Sequence, residues 1–165
     1  KGEFDEHYET LCSIAERGQQ VKDALVQAVD DDTSAFDKVL EGMRMPRDTE
    51  QQRAERTQAI QAGYETATRV PLATVEHCRD ALLLCREIAF LADPEMISDA
   101  GTGVLVAYAG AQAAAYNVRI NLHHIDDADF NAEMRNRVTA LVEECGELAS
   151  AVGAEVDRVL DRDTA

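Results

Sequence analysis

ISDAGTGVLVAYAGAQAAAYNVRINL, residues 97–122, decides how this chain is read. The run holds one acid, Asp99, and one base, Arg119, and it shows no strand alternation. Taken as a helix turning about 100° per residue, it aligns Gly103, Ala107, Gly110 and Ala114 in a stripe of small residues. Each glycine costs a helix roughly 1 kcal/mol, so the stripe predicts a neighbouring helix packed close enough to return that cost. The segment is expected to be central and buried. Asp99 and Asn117 lie eighteen residues apart and share one face; Asn121 follows one turn on, and Arg119 points to the other side. A buried polar group without a partner costs about 1–3 kcal/mol, so something must satisfy this face. The plain structural answer is that Ser98 or Asp99 caps the helix while the asparagines bond to adjacent loops. Helix rise places Asp99 and Asn117 ~27 Å apart along the axis. One small reactive centre cannot touch both within one subunit. Either the ligand is long, or a second subunit brings another copy of this helix alongside.

Outward from this segment, nearly every stretch has helical spacing. A first helix is expected over 3–29, with Phe4, Tyr8, Leu11, Ala15, Val21 and Leu25 on one side. Asp30, Asp31 and Asp32 follow, and one of them is expected to cap a helix over 33–44 carrying Phe36, Val39, Leu40 and Met43. Pro46 ends it, and Asp48 or Thr49 caps a polar helix over 50–69. Val70-Pro71 is expected to break or kink the chain. Beyond it, Leu72, Val75, Cys78, Leu82, Cys85 and Ala89 recur at three- and four-residue steps, the seam that bundles bury. Asp93-Pro94 marks the next boundary. A last helix over 127–161 carries Phe130, Met134, Val138, Leu141, Cys145, Leu148, Val152, Val156 and Val159. The fold expected is all-α, a bundle of five to six long helices in one domain spanning 1–165, dimerising through helices.

The chain has 165 residues and a net charge of −16, which repels a phosphate backbone and argues against nucleic acid. No apolar run is long enough for a membrane span. The four cysteines form no C-x-x-C pair and read as small buried hydrophobes in a reducing cytoplasm. Adjacent His123 and His124 diverge on a helix, so one metal ion does not suit both, and no metal site is expected.

Four stretches then carry a resemblance: DDDTSAFDKVLEGMRMPRDT (30–49), RTQAIQAGYETATRVPLATVEHC (56–78), MISD (96–99) and the 94–122 segment itself. Together they resemble the cyclodeaminase domain of formiminotransferase-cyclodeaminase and the related bacterial methenyltetrahydrofolate cyclohydrolases. The resemblance implies a helical homodimer whose substrate is a tetrahydrofolate one-carbon derivative, with no bound cofactor. It implies either hydrolysis of 5,10-methenyltetrahydrofolate to 10-formyltetrahydrofolate, or closure of 5-formiminotetrahydrofolate with release of ammonia. A stand-alone chain favours the hydrolysis. A helical dimerisation or ligand-binding protein without catalysis is the rival of another class. Family members begin with a Pro-Gly-Gly-Gly segment that this sequence does not show, and HHIDD at 123–127 also departs from them.

Asp99 is the catalytic candidate, since a carboxylate in a low-dielectric pocket can act as acid or base, or can pair with pterin N–H groups. Ser98 stands beside it. Asn117 and Asn121 are expected to orient the pterin or the one-carbon bridge, each amide offering donor and acceptor. Asp32 is a further binding candidate by family position. Arg44 and Arg47 match basic residues of the family and are expected to hold the glutamate tail, a planar guanidinium suiting carboxylates.

Overall fold

The computed structural model describes residues 4–91 and 94–161. These residues form four long helices: α1 (Phe4–Arg44), α2 (Glu50–Leu91), α3 (Ile97–Asn121) and α4 (Ala128–Leu160). Short 3-10 turns at Pro94–Met96 and Leu122–His124 precede and follow α3. The expectation of an all-helical bundle holds, but four helices replace five or six, because two expected breaks do not occur.

The first is at Asp30–Asp32. Asp31 accepts a hydrogen bond from Gln27 one turn back at 3.1 Å, and Thr33 Oγ1 donates to Val29 O at 3.1 Å. Polar side chains bonded along the helix cost it only tenths of a kcal/mol each, and α2 offers a continuous packing face. The second is at Pro71, which α2 simply includes. Proline has no N–H to give Ala67 O, four residues earlier. Asn121 Nδ2 donates to that carbonyl instead, at 2.7 Å. The true turn, 45–49, is capped as expected by Thr49, whose Oγ1 accepts from Gln52 N at 3.2 Å. Gln52 reaches back to Asp48 N and Thr49 N, completing a capping box.

The core is built mainly by α2, α3 and α4 packing on one another, with α1 held chiefly by α2. The stripes expected on α2 and α4 are those buried. Val75, Leu82, Met134, Val138, Cys145 and Val152 are almost fully enclosed. The small stripe of α3 meets the cysteines of α2: a Cβ on Gly103 would stand 2.9 Å from Cys85 Sγ, and one on Gly110 3.2 Å from Cys78 Sγ. In the hairpin of α1 and α2 the close approach is to backbone. A Cβ on Gly63 would meet the backbone of Val39 at 3.1 Å, and one on Gly42 the backbone nitrogen of Ile60 at 3.1 Å.

The stripe expected on α1 is buried only in part. Val39 is fully enclosed and Leu25 packs against the core, with Ile14 and Ala35 buried beside them, whereas Tyr8, Phe36 and Met43 are exposed; the side chain of Phe4, like Asp93, lies outside the described residues. Nor is α3 fully enclosed, for its far face is open. Side-chain cross-links tie the bundle at its surface and its loop. Arg17 on α1 donates to Glu87 on α2 at 2.9 Å, and Arg137 on α4 pairs with Glu76 on α2. Arg69 lies 4.7 Å over the Phe130 ring. Gln61 grips the α3–α4 connection with both ends of its amide, donating to His124 O at 2.9 Å and accepting from Asp126 N at 2.8 Å.

Candidate functional site

Three helices meet along one open groove of about 390 Å³. Helix α1 contributes Leu25, Val29, Asp32 and Thr33; α2 contributes Pro71 and Thr74; α3 contributes Gly110, Ala114 and Asn117. The groove's apolar walls and few polar groups suit a small organic ligand. Thr33 Oγ1 donates to Val29 O at 3.1 Å and Thr74 Oγ1 to Val70 O at 3.2 Å. With those protons committed to the helices, both hydroxyl oxygens can serve a ligand only as acceptors. Asp32 adds a carboxylate and Asn117 an amide. The rim is therefore rich in acceptors and matches a ligand that presents several N–H groups.

Of the seven residues singled out from sequence, the groove unites two, Asp32 and Asn117. Asn121 stands one turn beyond Asn117 and is occupied with Ala67 O. Ser98 and Asp99 lie at the other end of α3, exposed on its first turn. Neither caps that helix: α3 begins at Ile97 after a 3-10 turn, and Met96 at the cap position makes no side-chain bond. Asp99 still sits well, since a carboxylate in a first turn favours the positive helix end. Arg44 and Arg47 are exposed at the α1–α2 turn; Arg44 ends α1, about 18 Å by helix rise from Asp32, and Arg47 lies in the turn beyond it. That turn is dense in cations. Arg53 donates to Arg47 O at 3.2 Å and Asp48 O at 3.1 Å, and Arg56 donates to Met43 O at 3.2 Å. Arg56 thus closes a C-terminal carbonyl of α1, and Arg53 ties down the turn that follows it.

His124 is engaged structurally, its ring stacked on Tyr64 with centroids 4.5 Å apart. The cysteines are free thiols. Burial pushes the thiols of Cys78 and Cys85 up, and Cys145, deeper among acidic neighbours, is raised to about 11. None of the three is an activated nucleophile. Sequence reasoning missed Thr33, Thr74, Leu25 and Val29. Their only sequence sign is helical register against Asp32 and Pro71, and that register is hidden when the helices are split at those residues.

Comparison with known proteins bears on this arrangement. A family model for formiminotransferase-cyclodeaminase matches residues 1–140. The chain belongs to that family. Among members of the formiminotransferase-cyclodeaminase family, a methenyltetrahydrofolate cyclohydrolase from Methylorubrum extorquens is 36% identical over 138 residues, covering 84% of this chain and 66% of that protein. A formimidoyltransferase-cyclodeaminase from Sus scrofa is 32% identical over 128 residues, covering 78% of this chain and 24% of the longer protein. The chain thus spans just under two thirds of the first relative and about a quarter of the second. The crystal structure of a formiminotetrahydrofolate cyclodeaminase from Thermotoga maritima matches 97% of this chain and 76% of its own, with a TM-score of 0.84 at 19% identity. That likeness establishes the fold.

Proposed function

We propose that the chain is an enzyme of tetrahydrofolate one-carbon metabolism, and that it hydrolyses 5,10-methenyltetrahydrofolate to 10-formyltetrahydrofolate. The observation that carries the reading is the groove that gathers Asp32 and Asn117 with two acceptor hydroxyls. A pterin ring presents amino and ring N–H donors to such a rim. The relative at 36% identity is a cyclohydrolase, which favours water over ammonia as the partner of the one-carbon bridge. In that chemistry a carboxylate takes a proton from water as the oxygen attacks the bridging carbon. The new hydroxyl gives up its proton as the C–N5 bond breaks and N5 takes one up, leaving the formyl group on N10. The Asn117 amide can hold the developing oxygen or the ring. Arg44 and Arg47 stand at a distance that suits a glutamate tail, and no cofactor is called on.

Ammonia-releasing cyclodeamination is the second reading, favoured by the Sus scrofa relative. A homodimer in a reducing cytoplasm fits the open apolar face of α3 and the four free thiols. One assay separates the readings. Loss of methenyltetrahydrofolate absorbance faster than in buffer is the expected result, with Asp32→Asn lowering turnover at least tenfold. Appearance of the same absorbance from formiminotetrahydrofolate would make the chain a cyclodeaminase. Binding with neither change would leave a non-catalytic protein.

A further inference from the structure

Pro71 stands where the candidate groove meets the weakest point of α2. It lines the groove with Thr74, and it denies Ala67 O a helical N–H. Threonines on both sides of the gap bond back onto their own helix. Thr66 Oγ1 donates to Ala62 O at 3.0 Å, Thr68 Oγ1 to Tyr64 O at 2.8 Å and Thr74 Oγ1 to Val70 O at 3.2 Å. A proline and back-bonded threonines both bend helices, so α2 fixes its own course less firmly here than elsewhere. The missing donor comes from the last residue of α3: Asn121 Nδ2 reaches Ala67 O at 2.7 Å. Ala67 is buried, so that carbonyl is orphaned without the amide.

The bond constrains α3 as much as α2. Asn117 stands one turn before Asn121, on nearly the same face, and lines the groove. No hydrogen bond to another described residue directs its side-chain amide, so Asn117 lies where α3 puts it. Val118 and Leu122 are buried and hold α3 to the core by apolar contact, which is non-directional. The 2.7 Å bond of Asn121 is directional, and a slide or roll of α3 breaks it. We propose that Asn121 is a positioning residue: it ties α3 to the gap that Pro71 leaves in α2, and so sets where the Asn117 amide stands relative to Asp32. The proline that forms one wall of the groove thereby supplies the anchor for another. Its role in turnover rests on the groove being the substrate site; the tether itself does not. A ligand held between Asp32 and Asn117 would feel a misplacement of about 1 Å as a loss of up to about 100-fold.

Turnover and stability separate this role from a purely structural one. Ala67 O has two lone pairs, so in Pro71→Ala the new N–H takes one and Asn121 can keep the other. The unsubstituted chain, Asn121→Leu, Pro71→Ala and the double variant are compared, each at a temperature where it is fully folded. Asn121→Leu is expected to lower kcat/KM for 5,10-methenyltetrahydrofolate roughly tenfold or more. In the double variant the helix satisfies its own carbonyl, and resistance to urea returns toward that of Pro71→Ala. Turnover stays roughly tenfold or more below that of Pro71→Ala, because α3 is still untied. Turnover that recovers together with stability, or an Asn121→Leu chain as active as the unsubstituted one, overturns the proposal. Val152→Ala weakens the buried core of α4 away from the groove and is expected to keep its turnover; an equal loss there would mark general loosening and also overturn it. Hydrogen exchange reads the tether without substrate. Amides of 114–121 are expected to exchange faster in the double variant than in Pro71→Ala, with those of α4 unchanged. Unchanged exchange in α3 overturns the tether whatever the kinetics. Faster exchange in a protein whose unsubstituted chain turns over no folate upholds the tether, and the substrate reading alone falls.

Discussion

At Gly63 one added carbon sets helix propensity against packing. Alanine favours a helix interior by roughly 1 kcal/mol over glycine, but here its methyl meets the backbone of Val39 at 3.1 Å, and backbone cannot rotate away. Overpacking of that kind costs about 1–3 kcal/mol, so Gly63→Ala is expected to lower stability in urea unfolding. Gly153 is the matched opposite. Nothing lies within 4 Å of its added Cβ, so Gly153→Ala is expected to raise stability by about 0.5–1 kcal/mol. Cys145 makes a separate prediction. Its folded thiol holds its proton to about pH 11, while an unfolded thiol releases it near about 8.5. The unfolded state therefore binds fewer protons between these values, and stability falls as pH rises through that window. Replacing Cys145 with alanine should flatten this alkaline slope while lowering stability at neutral pH. The stripe of Gly103 and Gly110 was legible because it stands in an uncharged run. Gly42 and Gly63 were not, because they sit in polar helices whose partner is known only once the chain folds back.

At the scale of the element, α2 shows how a break can be overridden. Asn121 supplies the donor that Pro71 lacks, so Asn121→Leu is expected to cost about 1–3 kcal/mol by stranding the Ala67 carbonyl. In a Pro71→Ala background the new N–H can take that carbonyl, and the same substitution should cost much less. A double-mutant cycle in urea reads the difference; equal costs in both backgrounds would show that the bond contributes nothing. This pairing explains where reading the sequence failed and where it succeeded. The seams of α2 and α4 were legible since their three- and four-residue steps are unbroken. The helix count was not, because an aspartate run and a proline are local warnings, and their cancellation depends on Gln27, Thr33 and an asparagine fifty residues away. The same splitting hid the groove. Asp32 and Asn117 could each be picked out by type and position, but Thr33 and Thr74 acquire meaning only when α1 and α2 run through.

For the molecule as a whole, the net charge of −16 opposes self-association while the uncharged, open face of α3 favours it. Leu105→Glu tests the proposed homodimer: it is expected to halve the mass read in sedimentation, with helix content unchanged in circular dichroism. Added salt screens the −16 charge and should tighten association of the unsubstituted chain. Among the described residues no helix is long and apolar enough to cross a membrane. The arrangement of α1 has a further consequence. It is held chiefly by α2, outside the triangle that α2, α3 and α4 make, yet it carries Asp32 and a whole wall of the groove. An element docked on one neighbour opens more readily than one locked between two, so its amides should exchange with solvent sooner than those of α4. A ligand lying between α1 and α3 would act as a splint. Occupancy would then be written as slowed exchange along α1, far beyond the few residues it touches.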